Sequence, residues 1–412
     1  MFQAPVLDSA TQGGPNIKLV ATLAIIFAGL AGRSAVDKVL TLRGGPELVA
    51  YWGQLGSIIE VVAGVALAGV GTGISVLVAQ ADRPERQREL LHRSLGIGLA
   101  VSAPVMLTVI AASFAFPGKA AGEGLSQGLV VLAAVIGCIA VVPGMLNGYW
   151  LGQQRRDLML ALAAGTSLAL LAAALAAPPE RLLAFLALAQ GLPAAAAVFV
   201  LLRPSPREAP ADYGALRRYI VPGLAIGLLT PLATVAVRDI VSTQMSWHDA
   251  GLVQALWRVS DWVASVAAGV MAVLFLPRLS AAHGTQRFAA ELRRAAFATI
   301  LPSAIALTAL ALLQRPIFAL LYDGSFAMSD AAVQLFFTGT FVRIASWLPL
   351  YALYAMRRTG ALVFGEFLSM PLFAALLAAH PGRLTLEWVG ALWLAAYAGY
   401  GLFNLWAVRR AS

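Results

Sequence analysis

The chain has 412 residues, of which 60% are hydrophobic and 12% charged, with a formal net charge of +9 and a mean hydropathy of +0.80. That composition excludes an ordinary water-soluble domain, in which about 25% of residues are charged. The lone cysteine, Cys138, excludes an internal disulfide framework. The positive charge sits in short gaps and not in a basic soluble module, which excludes nucleic-acid binding.

A spanning helix needs about 20 apolar residues. In chain order, apolar runs cover 14–40, 48–80, 94–116, 126–150, 157–177, 181–203, 218–241, 250–277, 295–321, 330–356, 360–380 and 387–408. With no water in the bilayer core, each run must satisfy its backbone internally, so the expectation is an all-α polytopic membrane protein of twelve helices. The second and eighth runs exceed one membrane thickness and must tilt, kink or project. The first has no small-residue cleavage site and too long a body for a secretory signal, so it is read as a retained anchor.

Charge alternates from gap to gap. Arg83, Arg86, Arg88 and Arg93 follow the second run; Arg155 and Arg156 follow the fourth; Arg203, Arg207, Arg217 and Arg218 follow the sixth. Arg278, Arg287, Arg293 and Arg294 follow the eighth, Arg357 and Arg358 the tenth, and Arg409 and Arg410 the last. The other gaps carry little beyond Arg43, Lys119, Arg181 and Arg383. The positive-inside rule then places both termini in the cytoplasm.

The hydrophilic gap near 203–218 divides the runs six and six. The gaps after the second and eighth runs resemble each other, with Glu89-Leu90 and Glu291-Leu292 about half a chain apart. The expected domains are therefore residues 1–205 and 206–412, two six-helix bundles related by a pseudo-two-fold axis along the membrane normal. In such a parallel repeat the site lies between the halves near the midplane, and transport is a rocking of one bundle against the other.

Motifs for soluble chemistry fail. Gly118-Lys119 lacks the rest of a phosphate loop, and Gly69, Gly71 and Gly73 read as helix packing or a hinge. His92, His248, His283 and His380 have no metal-ligand spacing, so neither metal nor cofactor is expected. The informative residues are charges inside the runs, each of which costs about 2.5–3.5 kcal/mol at a helix centre. They are Arg33, Glu60, Arg238, Asp239, Arg258, Asp261, Arg315, Arg343 and Glu366. Arg258 and Asp261 share a helix face at i and i+3, where they can pair. Arg343 is deep and has no acid within one turn. An interior this rich in arginine suits phosphate or pyrophosphate, whose oxygens match the guanidinium fork.

Arg33, Arg238, Arg258 and Arg343 are the candidates to meet such an anion, with Trp257 and Trp347 near them in sequence as faces on which sugar rings could stack. Glu60, Asp261 and Glu366 are the candidates to carry a coupling ion. Pro231, inside the seventh run, is the expected hinge. Trp52, Trp247, Tyr322, Trp388 and Trp406 fall at run ends and read as interfacial anchors.

Three segments carry a resemblance: Val237-Arg238 through Met245-Ser246-Trp247-His248-Asp249-Ala250-Gly251; Val259-Ser260-Asp261; and Leu274-Phe275-Leu276-Pro277-Arg278-Leu279-Ser280. Together they resemble the seventh-to-eighth helix region of Wzx-type polysaccharide flippases, those for enterobacterial common antigen (lipid III) and O-antigen units. Gly45-Pro46, Val76-Leu77-Val78-Ala79-Gln80 and Gly365-Glu366 support it. The resemblance implies the multidrug/oligosaccharidyl-lipid/polysaccharide exporter superfamily and its two-bundle fold. It also implies a bacterial inner-membrane protein, not an enzyme, that serves O-antigen, lipopolysaccharide or common-antigen biosynthesis. Such a protein moves an undecaprenyl-diphosphate-linked oligosaccharide from the cytoplasmic to the periplasmic leaflet. The partners implied are that lipid, the bilayer, and the polysaccharide polymerase and chain-length regulator.

Arg238 and Asp261 match charged positions of that family, and Arg343 stands where a basic residue, often lysine, is found. Thr340 and Asp239 depart from it: relatives carry an acid at the first and a base at the second. The alternative functions are a cation-coupled multidrug antiporter of the same superfamily, a lipid II flippase, which typically has extra helices, and a membrane glycan polymerase or ligase. The short outer gaps speak against the last.

Overall fold

The computed structural model describes residues 15–116, 125–195 and 213–411. Among them the regular structure is helical throughout. Helix α1 runs from Pro15 to Ala66, 52 residues, or about 78 Å at 1.5 Å per residue, far longer than a bilayer is thick. It is two limbs broken at Gly44 and Gly45, where Gly45 takes φ +63°, and Pro46 opens the second limb. A residue with a Cβ resists that left-handed turn, and proline is favoured at the first position of a helix.

The second limb passes through a π-helical turn, Leu67–Gly71, into α2, Thr72–Ala79. Then follow α3 (Pro84–Ala115), α4 (Gln127–Gly152), α5 (Arg156–Ala176) and α6 (Leu182–Gly191). The second lobe holds α7 (Tyr213–Gln244), α8 (Trp247–Val270), a π-turn (Met271–Phe275), α9 (Leu276–Ala282), α10 (Arg287–Leu312) and α11 (Gln314–Leu321). It closes with α12 (Asp330–Ala355), α13 (Thr359–Phe367), α14 (Met370–Ala378) and α15 (Leu386–Ala411).

Nine helical stretches among the described residues are long and apolar enough to cross a membrane, the first being the double-length α1–α2. With α6 and α7 the passes number twelve, in two bundles. The proposed boundary between residues 205 and 206, Lys119 and the last part of the sixth run lie outside the described residues. Serine caps start three helices at the arginine-poor end. Ser126 Oγ accepts from Leu129 N, Ser246 Oγ from Asp249 N and Ser329 Oγ from Ala332 N.

The two π-turns fall at matching places: Leu67 and Met271 are about 200 residues apart, as are the starts of α3 and α10. Helix α7 is continuous through Pro231. Irregular backbone lies at Gly44–Gly45, at these π-turns and at Leu368–Ser369 between α13 and α14. Trp52 and Tyr322 depart from the anchor expectation: at 7% and 2% exposure they are core residues, while Trp388 and Trp406 do lie on the surface.

Packing differs between the two ends. A main apolar cluster joins both lobes, with Val36, Leu40 and Leu55 of α1 alongside Val237, Leu256 and Tyr322. Two smaller clusters stay within single lobes near the arginine-rich end. One surrounds Val70, Leu91 and Met145, the other Met271, Phe275 and Ala295. The lobes thus share a core at the arginine-poor end and keep separate side-chain cores at the basic end, where α7 crosses to the first lobe, a Cβ on Gly227 lying 2.2 Å from the carbonyl oxygen of Gly64.

Close backbone approach also joins the lobes at the arginine-poor end. A Cβ on Gly251 would lie 2.1 Å from the carbonyl oxygen of Pro46 across the lobe boundary. Gly251→Ala is therefore expected to pry α8 from α1 and lower stability by about 1–3 kcal/mol, measurable as a fall in thermal midpoint in detergent. An unchanged midpoint would count against closure at this contact.

Candidate functional site

A chamber with about 310 Å³ of room for water lies between the lobes. Each wall is one face of a helix. The second limb of α1 contributes Trp52, Gly53, Gly56, Ser57 and Glu60, and α7 contributes Thr230, Thr234 and Arg238. Helix α8 supplies Gln254, Trp257, Arg258 and Asp261, again at spacings of three and four. Arg33 reaches in from the first limb of α1, Arg343 from α12, and Trp393 and Tyr397 from α15.

Arg238 is 3% exposed and sits at the lobe seam. Its Nε and Nη2 donate to Gln254 Oε1 at 3.2 and 2.7 Å. Its Nη1 donates to Gln54 Oε1 at 3.1 Å and Ser57 Oγ at 2.9 Å. Its guanidinium carbon also lies 5.7 Å from the centre of the Trp257 ring. All these partners are neutral. Among the described residues neither Arg238 nor Arg33 makes an ion pair, and Arg33 is exposed to the chamber. Gln54 Nε2 and Trp257 Nε1, two further donors beside Arg238, are buried without an acceptor.

The other two arginines are paired, and not as expected. Arg258 does not bond its helix neighbour Asp261. Its Nε donates to Asp37 Oδ2 at 3.0 Å, tying α8 to α1. Asp261 accepts instead from Arg343 Nη1 at 3.1 Å. The i,i+3 spacing brought two side chains to one face, but each guanidinium reached a carboxylate on another helix. Asp37 is 1% exposed, and its Oδ1 has no partner.

Arg343 lies over Trp347, Trp393 and Tyr397, with its guanidinium carbon 5.3, 5.7 and 5.7 Å from the ring centres. Trp393 is held by Phe336 at 5.1 Å and Trp257 at 6.0 Å. Such a stack fixes the arginine without neutralising it.

Of the residues expected from the sequence, Arg33, Arg238, Arg258, Arg343, Trp257, Glu60 and Asp261 line one chamber, and Trp347 backs it. Glu366 does not line it; it is half-buried at the end of α13 beside the helix break. Thr340 lies under the chamber wall, wholly buried, accepting from Trp393 Nε1 at 3.3 Å. Asp239 is half-buried outside the chamber, and Arg315 is an exposed residue 3.7 Å from Asp330.

Sequence reasoning passed over Asp37, Lys38, Gln54, Ser57 and Gln254. Asp37 had a usable signal, an acid inside the first run one turn beyond Arg33. The amides had none, because a glutamine in a span carries no charge penalty to betray it. The chamber group therefore comprises four guanidiniums against three carboxylates, counting Asp37.

Comparison with known proteins agrees with this architecture. No family model matches the chain. It is 27% identical over 290 residues to the lipid III flippases of Escherichia coli (strain K12) and Shigella flexneri, covering 63% of this chain and 64% of each relative. The chain thus spans a little under two thirds of the length of the curated relatives it matches.

Among solved structures it superposes on an inward-facing multidrug resistance MATE transporter of the MOP superfamily, with a TM-score of 0.72 and 14% identity over 95% of this chain and 98% of that one. A MOP superfamily transporter from Pyrococcus furiosus gives 0.66 at 13% identity, covering 97% of each chain. With its twelve passes, its two bundles and its sequence likeness to curated flippases, this chain is a multi-pass membrane protein with the fold of MOP superfamily transporters.

Proposed function

We propose that the protein is a flippase for an undecaprenyl-diphosphate-linked oligosaccharide of the O-antigen or enterobacterial common antigen kind. It would carry the headgroup from the cytoplasmic to the periplasmic leaflet of the bacterial inner membrane. The observation that carries this reading is Arg238, a buried guanidinium at the lobe seam held by neutral oxygens only. A permanent cation so placed lacks its anion, and a diphosphate supplies one. Arg33 adds a second unpaired charge, and the unpartnered N–H groups of Gln54 and Trp257 add neutral donors.

In this reading the arginine-rich gaps and both termini face the cytoplasm. The headgroup enters between the separate cores at that end, while the polyprenyl chain stays in lipid. Arg33, Arg238, Arg258 and Arg343 hold the diphosphate, Trp257 on the chamber wall offers an aromatic surface to the sugars, and Trp347 supports Arg343 from behind. An inside-negative potential favours outward movement of an anion, by about 2.3 kcal/mol per charge at 100 mV. Glu60 opens on the chamber with no ion pair among the described residues, and is with Asp261 the candidate for carrying a coupling ion. Glu366, off the chamber wall, is a candidate only for indirect coupling.

The test is reconstitution into liposomes with a fluorescent undecaprenyl-diphosphate oligosaccharide, scored by quenching of the outer leaflet. Transfer of that lipid, but not of a fluorescent cationic drug, is the expected result. Drug efflux without lipid transfer would establish the antiporter reading in its place.

A further inference from the structure

Away from the chamber, the turn between α12 and α13 meets the last turn of α15. Arg357, Arg358, Arg410 and Trp406, with the backbone of Thr359 to Ala361, surround an open recess of about 470 Å³. Arginines at this end of the molecule are expected from topology alone, and a solvated face is their ordinary fate. Three observations set this group apart.

The first is the lack of acids. In three other basic gaps one arginine pairs with a local acid, Arg93 with Glu89, Arg155 with Asp157 at 2.9 Å and Arg294 with Glu291 at 2.6 Å. No acidic side chain lines this recess, and Arg357, Arg358 and Arg410 make no ion pair among the described residues.

The second is a set of free backbone donors. Helix α13 starts at Thr359 without a side-chain cap, and its first α-helical backbone bond is donated by Leu362. The N–H groups of Gly360 and Ala361 lie in the uncapped first turn, on the recess wall, where a helix attracts anions.

The third is an apolar track leading away from the charges. Arg410 covers Trp406 at 4.3 Å; Trp406 meets Phe403 at 5.8 Å, and Phe403 meets Phe364 at 5.0 Å. This aromatic ladder runs along the α13–α15 groove, with Trp406, Phe364 and Leu402 48%, 55% and 69% exposed. Guanidiniums at the water edge, continued by aromatics toward the bilayer, make one amphipathic groove.

From this we infer that the α13–α15 groove binds an anionic phospholipid. The phosphate lies on Arg357, Arg358, Arg410 and the α13 N-terminus, and an acyl chain lies along the Trp406–Phe403–Phe364 ladder. A zwitterionic lipid brings the same phosphate but also a cationic head, which three guanidiniums repel. The inference does not rest on the chamber or on its ligand.

The test uses the purified full-length protein in detergent, without any lipid-linked oligosaccharide. Phosphatidylglycerol and phosphatidylcholine of matched chains are titrated, and bound lipid is counted by native mass spectrometry. The parent is expected to favour phosphatidylglycerol at least ~10-fold. Arg357→Gln/Arg358→Gln/Arg410→Gln should erase that preference. The charge-matched control Arg83→Gln/Arg86→Gln/Arg88→Gln should keep it. Equal loss in both triple variants, or no loss in the first, would overturn the inference.

Where the first triple variant is not monodisperse, single Arg358→Gln and Arg410→Gln variants decide, each expected to lose at least ~3-fold. Inorganic phosphate is the remaining arm. If it displaces bound phosphatidylglycerol at low millimolar concentration, the site is a water-side anion site and the lipid assignment fails.

Discussion

Replacing Arg238 by alanine is expected to abolish lipid transfer in reconstituted liposomes, by about 100-fold or more, while the protein still folds. The two halves of that expectation have separate causes. Losing a guanidinium that meets an anion in a partly dry site costs about 2–5 kcal/mol of binding. The fold loses less, because the residues left behind (Gln54, Ser57 and Gln254) are neutral and adjoin a chamber with room for water. Removing neutral-acceptor bonds there costs about 1–2 kcal/mol.

Arg343→Ala should also reduce transfer, but it differs in kind. It strands the carboxylate of Asp261, making the chamber more negative as well as less basic. Arg238→Lys separates charge from geometry: lysine restores the charge but not the planar fork that now engages two glutamine side chains and a serine. Partial transfer by Arg238→Lys is the expected outcome. Parental transfer by Arg238→Ala would remove the anion site altogether.

The second large effect is expected at a residue outside the chamber's lining. Asp37→Ala should loosen the arginine-poor end and expose the chamber from that side. Asp37 is buried and holds Arg258 across the lobe boundary. Removing one partner of a buried ion pair leaves the other charge uncompensated, at a cost of about 3–5 kcal/mol when both are dry. Arg258 retains some water contact, with a side chain 21% exposed, so about 2 kcal/mol is the better expectation after screening.

A cysteine at Gly56 provides the reporter, since it lines the chamber and an added Cβ there meets nothing within 4 Å. In a Cys138→Ala background, a membrane-impermeant maleimide added from the periplasmic side should label Gly56→Cys faster, by about 10-fold, when Asp37 is also replaced. Equal labelling with and without Asp37 would show that the pair does not seal the chamber.

Both residues illustrate what the sequence could and could not convey. The fold was legible because a bilayer leaves few options: apolar length fixes the helical passes, while the sides and the halves read from arginine alternation and the central hydrophilic gap stay expectations. The chamber was legible in outline because a charge in a span is expensive and so conspicuous. Arg33, Glu60, Arg238, Arg258, Asp261 and Arg343 were all visible on that ground.

The pairing was not legible. Spacing along α8 suggested that Arg258 bonds Asp261, yet Asp37 and Arg343, distant in sequence, compete for those groups and win. Which carboxylate a guanidinium meets is decided by helix packing, and one chain read alone does not encode that in any local pattern. The lining amides were invisible for a related reason: their role depends on a neighbour brought by another helix. Trp52 and Tyr322 show the same limit, since run-end aromatics read as interfacial until the partner lobe covers them.

One contact at the arginine-poor end has a wider consequence. Beside Asp37, Lys38 Nζ donates to the carbonyl oxygens of Ala319 and Tyr322, at the end of α11. Successive residues on a helix point about 100° apart, so these two neighbours grip different parts of the opposite lobe. A roll of α1 that frees one side chain is therefore expected to strain the other, so that the two contacts release together. Half-released states, the ones through which protons and salt would bleed across an energised membrane, would thereby be kept scarce.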